Sequence, residues 1–192
     1  MSIILASSSP RRKEIISKLN IDFEIIHPEI NEDNYKYNKK TPPKDYAEFL
    51  SKVKALSVFE NHKNKIVIGA DTIVVLNENI VLGKPKNKDD AYNTLMMLSG
   101  KIHNVITGVT IINAHNQYTF SESTSVKFFH LNNNDIMNYI KTSSPYDKAG
   151  SYGIQDYSSI FVEKIDGCYN NVIGFPIARF NHICKNILNI PI

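Results

Sequence analysis

One carboxylate, Asp71, stands between two β-branched runs at residues 66–68 and 73–76. Val, Ile and Thr at this density read as strand, and an ionised aspartate inside an apolar strand is costly unless it is paired or binds a metal. Asn77-Glu78-Asn79 then offers a tight turn, and residues 80–82 return as the second strand of a hairpin. The return ends at Gly83-Lys84-Pro85, so the hairpin brings a carboxylate and an ammonium toward one ligand. The same residues also fit a buried aspartate satisfied by backbone amides, with the lysine in solvent. A second group is Ser7-Ser8-Ser9-Pro10-Arg11-Arg12. Serine ahead of a first-turn proline starts a helix, and a helix N-terminus offers free amides and partial positive charge to a phosphate. Arg11 and Arg12 in that first turn oppose the helix dipole. A bound anion accounts for them, and so do two solvated arginines on an ordinary capped helix. With Lys54 and Glu32 added, the set suits a polyphosphate bound with a divalent metal. Carboxylates hold Mg²⁺ while phosphates supply further oxygens, and the cations stabilise charge in phosphoryl or nucleotidyl transfer.

The elements that must position these residues follow from pattern. A strand over 2–6 leads into the serine loop and a helix with Ile15, Ile16 and Leu19 inward, and a second strand covers 22–26. Residues 27–44 form a polar loop in which one acid, Glu32 among them, can reach a metal. A helix over 44–60 carries Tyr46, Phe49, Leu50, Val53 and Leu56 at three- and four-residue spacing, with Lys52 and Lys54 off that stripe. After the central hairpin comes a helix over 89–98 with Ala91, Leu95 and Leu98 inward. Strands at 105–113 and 118–129 join through a turn at 114–116. His103 and Thr107, near the start of this long hairpin, read as structural. A short helix over 135–140 is capped by Asn134, and a loop covers 143–150. Residues 160–165 are strand-like, 167–171 a turn and 172–175 a short strand. Pro176 opens a last helix with Ile177, Phe180, Ile183 and Ile187 on one face. Early alternation of strands and helices, with strands dominating the middle, predicts a mixed-sheet α/β protein and not a doubly wound parallel one.

Bulk properties set the frame. A chain of 192 residues with 42% hydrophobic and 21% charged residues suits one ordered domain over 1–192. The net charge of +3 is mild and fits an anionic small ligand; no long basic run points to nucleic acid. Lys36, Lys39, Lys40 and Lys44 sit among Asn and Pro as a solvated loop. Cys168 and Cys184 lack the spacing of a metal knuckle, which suggests a reducing compartment. No signal peptide or membrane span is visible, so a soluble, cytoplasmic protein is expected. Gly-x-x-x-x-Gly-Lys-Ser/Thr and Gly-x-Gly-x-x-Gly are both missing from the sequence, which sets aside the common nucleotide-binding folds.

Six stretches carry a resemblance. They are Leu5-Ala6-Ser7-Ser8-Ser9-Pro10-Arg11-Arg12, Gly69-Ala70-Asp71-Thr72-Ile73-Val74 and Leu82-Gly83-Lys84-Pro85. The others are Leu98-Ser99-Gly100-x-x-His103-x-Val105-x-Thr107-Gly108-Val109, Asp147-Lys148-Ala149-Gly150-x-Tyr152-Gly153-Ile154-Gln155 and Asn171-Val172-Ile173-Gly174-Phe175-Pro176. In this order they resemble the motifs of the Maf family of nucleoside triphosphate pyrophosphatases. The resemblance implies an elongated two-lobed α/β fold with a cleft between the lobes, often a homodimer, and a divalent metal, Mg²⁺ or Mn²⁺. It implies hydrolysis of a nucleoside triphosphate to monophosphate and pyrophosphate by water attack at the α-phosphorus. Asp71 is then the proton acceptor and a metal ligand with Glu32. Arg11, Thr72 and Gln155 match substrate-selecting positions, and Ser8, Arg12, Lys54 and Lys84 the phosphate surroundings, with Arg12 and Lys84 expected to be exposed. Thr72 after Asp71 resembles the branch acting on dTTP and UTP, whereas a sister branch has Gln there and takes 7-methyl-GTP. The family is also linked to inhibition of septum formation, so a non-catalytic nucleotide-binding regulator is the alternative. The sequence departs from the pattern at Asp156-Tyr157-Ser158-Ser159, where glycines are usual after the Gln, and at Asn31, Cys168 and Phe175.

Overall fold

The computed structural model describes residues 2–142 and 145–190. Seven strands form one mixed sheet: β1 (Ile3–Ala6), β2 (Phe23–Ile26), β3 (Ile66–Leu76), β4 (Ile80–Leu82), β5 (Ile102–Ile112), β6 (Gln117–Phe128) and β7 (Val162–Asp166). The order is β2-β1-β3-β5-β6-β7, with β4 on the far half of β3. β1 runs parallel to both β2 and β3, and the remaining pairs are antiparallel. Among the described residues there are six α-helices: α1 (Pro10–Ser17), α2 (Pro43–Phe59), α3 (Lys88–Leu98), α4 (Asn133–Thr142), α5 (Tyr169–Ile173) and α6 (Ile177–Asn186). The expected mixed-sheet α/β class is the fold observed. Among the described residues, no helix is long and apolar enough to cross a membrane.

The two faces of the sheet are built differently. α2 lies across one face, where Ala55 and Val58 meet Ile4, Ala6, Val67 and Ile112, and Ala47 meets Ile73, Val75 and Ile106. The other face carries two apolar clusters. One joins Leu5, Ile68, Ala70, Val109 and Ile111 to α1 and α6; the other joins Val74, Leu76, Val105 and Val126 to α3 and α4. Thr72 and Thr107, paired in register, lie between the two clusters and interrupt the apolar surface. They form the floor between two lobes.

α2 reaches the sheet through small residues. A Cβ on Gly108 would stand 2.2 Å from the Ala47 carbonyl oxygen, and one on Gly69 would stand 2.4 Å from that of Ser51. Backbone atoms cannot move aside as a flexible side chain can, so the helix would have to lift from the sheet. Overpacking a close contact typically costs 1–3 kcal/mol. Gly108→Ala is therefore expected to lower the unfolding free energy by about 3 kcal/mol, read from the urea midpoint. A change below about 0.5 kcal/mol would show that the contact yields freely.

Several sequence expectations change. The runs at 66–68 and 73–76 are one continuous strand, β3. The stripe expected on α2 is rotated: Ala47, Leu50, Ser51, Lys54, Ala55 and Val58 are buried, whereas Phe49 is 46% exposed. Phe49 packs edge-on against Tyr35, with ring centroids 5.7 Å apart, in the loop over 27–44. That loop contains a 3₁₀ turn, Glu32–Tyr35. Of the strand expected at 172–175, Val172 and Ile173 are the end of helix α5 and Gly174 is its C-cap; the buried Asn171 amide anchors that helix by donating to Val105 O (2.9 Å) and Thr124 Oγ1 (3.0 Å). A 3₁₀ segment, Tyr157–Phe161, precedes β7. Asn132, and not Asn134, caps α4 by accepting from the Asp135 amide at 2.9 Å. In α6 the inward position falls to Cys184, and Ile187 is 49% exposed. Of the loop expected over 143–150, residues 143 and 144 lie outside the described residues.

Candidate active site

β1 stops at Ala6, opposite Gly69, and β4 pairs with β3 only from Val74, which lies opposite the last β4 residue, Leu82. Residues 70–73 of β3 therefore have no strand neighbour on that edge. Alternation sends Asp71 toward α2 and Thr72 to the opposite face, and the open edge lets one cleft reach both. Its volume is about 210 Å³. All nine residues singled out from the sequence line it: Ser8, Arg11, Arg12, Glu32, Lys54, Asp71, Thr72, Lys84 and Gln155.

Lys54 is the centre of the acidic group. It is 7% exposed, and its ammonium donates to Asp71 Oδ1 and lies 2.7 Å from Glu32 Oε1. The expectation that Lys54 lies off the buried face of its helix is thus overturned. The small residues around it let the helix approach closely enough for a lysine to cross to the strand. Glu32 is carried there by its 3₁₀ turn, which Tyr46 holds by donating its hydroxyl to Tyr35 O at 2.7 Å. Burial raises the Glu32 carboxyl pKa, but the Lys54 hydrogen bond and the charges of Lys54, Lys84 and Arg12 outweigh it and hold the carboxyl below the ordinary value.

The arginines have protein partners. Arg12 donates from Nε to Gly174 O (2.9 Å), from one terminal nitrogen to Thr72 Oγ1 (2.9 Å) and from the other to Ser7 Oγ (3.4 Å). Gly174 is the C-cap of α5, where carbonyls lack partners within the helix, so the charge opposed to the α1 dipole serves the end of α5. Arg12 is only partly exposed, and burial pushes its pKa below the ordinary value against the pull of Asp71. Its expected exposure is corrected: removing it would leave a carbonyl and two hydroxyls short of a donor. Arg11 crosses the cleft mouth to Asp147 Oδ2 at 2.7 Å. Lys148 bonds Asp147 (2.8 Å) and lies 3.4 Å from Asp156.

Lys84 is exposed, as expected, and among the described residues no carboxylate lies within 4 Å of it. Its place is fixed by the backbone: the amide of Gly150, at φ 68°, donates to Gly83 O at 3.1 Å. Gln155 is exposed at the cleft. The residues after it close on themselves without glycine, since Ser158 Oγ donates to Gly153 O (2.8 Å) and Asp156 caps the 3₁₀ turn. Five cations and four carboxylates face the cleft, counting Arg11, Arg12, Lys54, Lys84 and Lys148 against Glu32, Asp71, Asp147 and Asp156. Such a surface suits a multiply charged anion.

Glu32 and Asp71 also bear on a metal. Among the described residues no group of three His, Cys, Asp or Glu side chains converges. Two carboxylates alone are hard oxygen donors that fit Mg²⁺ or Mn²⁺, with phosphate oxygens and water completing the shell. Lys54 occupies the space between them, so an ion and the ammonium would compete for the same oxygens.

Other contributors carry weaker sequence signals. Thr107 bonds Thr72 at 3.0 Å, and only strand alternation with Val105 and Val109 would have placed it on the cleft face. His103 is 1% exposed, with Nε2 2.8 Å from the Tyr152 hydroxyl behind the cleft wall. It is structural, as its isolation suggests. Burial lowers its pKa from 6.5 to about 4. The unfolded chain takes up this proton near pH 6.5 and the folded one only near 4, so stability is full above 6.5 and falls as the solution is acidified. The loss should reach about 2 kcal/mol by pH 5, measured by urea unfolding between pH 7 and 5. His103→Gln should flatten that slope, and a wild-type stability flat over this range would contradict the assignment.

A family model described as Maf-like protein matches residues 2–187. A protein of Thermosipho melanesiensis named dTTP/UTP pyrophosphatase is 52% identical over 179 residues, 93% of this chain and 94% of its own length. One of Bacillus cereus with the same name is 49% identical over 177 residues, 92% of this chain and 91% of its own. A solved structure, that of the Staphylococcus aureus Ham1 protein, superposes with a TM-score of 0.45 at 11% identity, covering 67% of this chain and 72% of that one. With the family's motifs gathered on one cleft and the match running over almost the whole chain, this protein belongs to the Maf family.

Proposed function

We propose that the protein is a pyrophosphatase that hydrolyses dTTP and UTP to the monophosphate and pyrophosphate. The supporting observation is the convergence on one cleft of Asp71, the cations Arg11, Arg12, Lys54 and Lys84, and the base-facing candidates Thr72 and Gln155. The name shared by relatives at about half identity points to the same substrates. In this reading a water oxygen bonds to the α-phosphorus, its proton passes to Asp71, and the bond from the α-phosphorus to the bridging oxygen breaks. Lys84 and the arginines neutralise the departing pyrophosphate. Glu32 and Asp71 would hold Mg²⁺ or Mn²⁺, which when bound supplies charge neutralisation at the phosphates. Gln155 offers both an amide donor and a carbonyl acceptor to a pyrimidine edge.

A panel of common and modified nucleoside triphosphates tests this, with products resolved as pyrophosphate or orthophosphate. UTP and dTTP should lead and pyrophosphate should be released. Faster cleavage of 7-methyl-GTP or a purine triphosphate, or release of orthophosphate, would overturn the reading. Keeping the acid, lysines and arginines together favours the enzyme over a non-catalytic regulator, which has no need of the full set.

A further inference from the structure

The hydroxyl of Thr72 has its hydrogen bonds fixed by proton counting. A guanidinium only donates, so Thr72 Oγ1 accepts from Arg12 at 2.9 Å. Its second partner is Thr107 Oγ1 at 3.0 Å, where distance alone leaves the donor open. Asn171 decides it. It is fully buried in the middle of the short helix α5. The two amides in position to reach Asn171 O, those of Gly174 and Phe175, both donate to Asn170 O, and Pro176 has no N–H. Thr107 Oγ1, 3.2 Å away, is the donor that satisfies this carbonyl, and an orphaned buried acceptor is expensive. Thr107 has one proton and Asn171 takes it. Thr107 must then accept from Thr72. The other acceptor near Thr72, Gly174 O, is farther at 3.4 Å and already receives Arg12 Nε at 2.9 Å. What Thr72 has left for the cleft is a lone pair and no proton.

We infer that Thr107 is a specificity-positioning residue, which fixes the Thr72 hydroxyl as an acceptor for an N–H on the substrate's base. Resting on the dTTP/UTP reading above, this assigns the choice among pyrimidines to N3. Uracil and thymine carry N3–H and satisfy Thr72. Cytosine presents a bare N3, which sets two acceptors face to face and leaves both unpaired. A site built on such a hydrogen bond discriminates strongly against a partner that cannot complete it. Thr107 touches no substrate in this scheme. It acts by keeping the Thr72 proton away from the ligand.

The test is the ratio of kcat/KM for UTP to that for CTP in wild type, Thr107→Val and Thr107→Ser. Valine keeps the shape and removes the acceptor, which frees the Thr72 proton to meet cytosine N3. The ratio should fall at least about tenfold in Thr107→Val and stay within about twofold of wild type in Thr107→Ser. A loss of both activities in Thr107→Val with the ratio unchanged marks a merely structural residue and overturns the inference. Should Thr107→Val not fold, Thr72→Val is read by the same ratio: whatever loss is common to both substrates, the UTP-to-CTP ratio must fall at least about tenfold, and a parallel loss of both with the ratio unchanged overturns the inference. A wild-type protein that cleaves neither UTP nor dTTP removes the substrate reading and this inference together. An unchanged ratio in a working enzyme removes this inference alone.

Discussion

Asp71→Asn should lower turnover by about 10²–10⁴-fold while leaving triphosphate binding closer to wild type. The amide keeps the shape of the side chain and loses the carboxylate proposed as the proton acceptor. Asp71 is the only carboxylate on the strand segment whose edge lies open to the cleft, which gives water and ligand a path to it. Steady-state kinetics with UTP, together with binding measured by calorimetry, separate the two effects. Turnover within about threefold of wild type would assign the proton to another group, and Glu32, the other acid at Lys54, would be examined next.

Lys54→Met should affect both activity and folding. The ammonium stands between Glu32 and Asp71, and a thioether of similar length leaves the two carboxylates without their shared counter-charge. Removing one partner from a fully buried pair costs about 3–5 kcal/mol. The Glu32 side chain is 51% exposed, so water offsets part of this and a loss of about 2 kcal/mol is expected. Catalytic efficiency should fall at least about tenfold. The same variant reports on the metal, because without the competing ammonium Mg²⁺ should raise its melting temperature more than that of wild type. A variant as stable and active as wild type would show that Lys54 is peripheral to the site.

The fold and site were legible to different depths. The Ser9-Pro10 start of α1, the turn at residues 77–79 and the inward face of α3 follow from local chemistry, and all appear as expected. The nine candidate residues also meet on one cleft; residue chemistry grouped Ser8, Arg11, Arg12, Glu32, Lys54, Asp71 and Lys84, and the resemblance added Thr72 and Gln155. α2 was misjudged because hydrophobic pattern rewards large side chains. Its contact runs through Ala47, Ser51 and Ala55 over two glycines, so the buried lysine fell outside the apparent stripe. Val172-Ile173 has strand propensity, which the tertiary bonds of Asn171 override. Arg12 reads from the sequence as an anion contact or a solvated side chain, since no local rule shows that a carbonyl 162 residues away will need its guanidinium.

That last pairing has a consequence for synthesis. One wall of the cleft is made with residues 7–12, while the residues that seat Arg12 and close the opposite wall, 147–156 and 171–174, are made near the end of the chain. A nascent chain can complete the β1–β3 contacts and the α2 crossover and still lack one wall of the cleft. On the ribosome, nucleotide therefore meets an open, half-built site during the early stages of folding. Its full stabilising effect begins once residues 147–174 have emerged, when ligand binding and closure of the cleft become a single event.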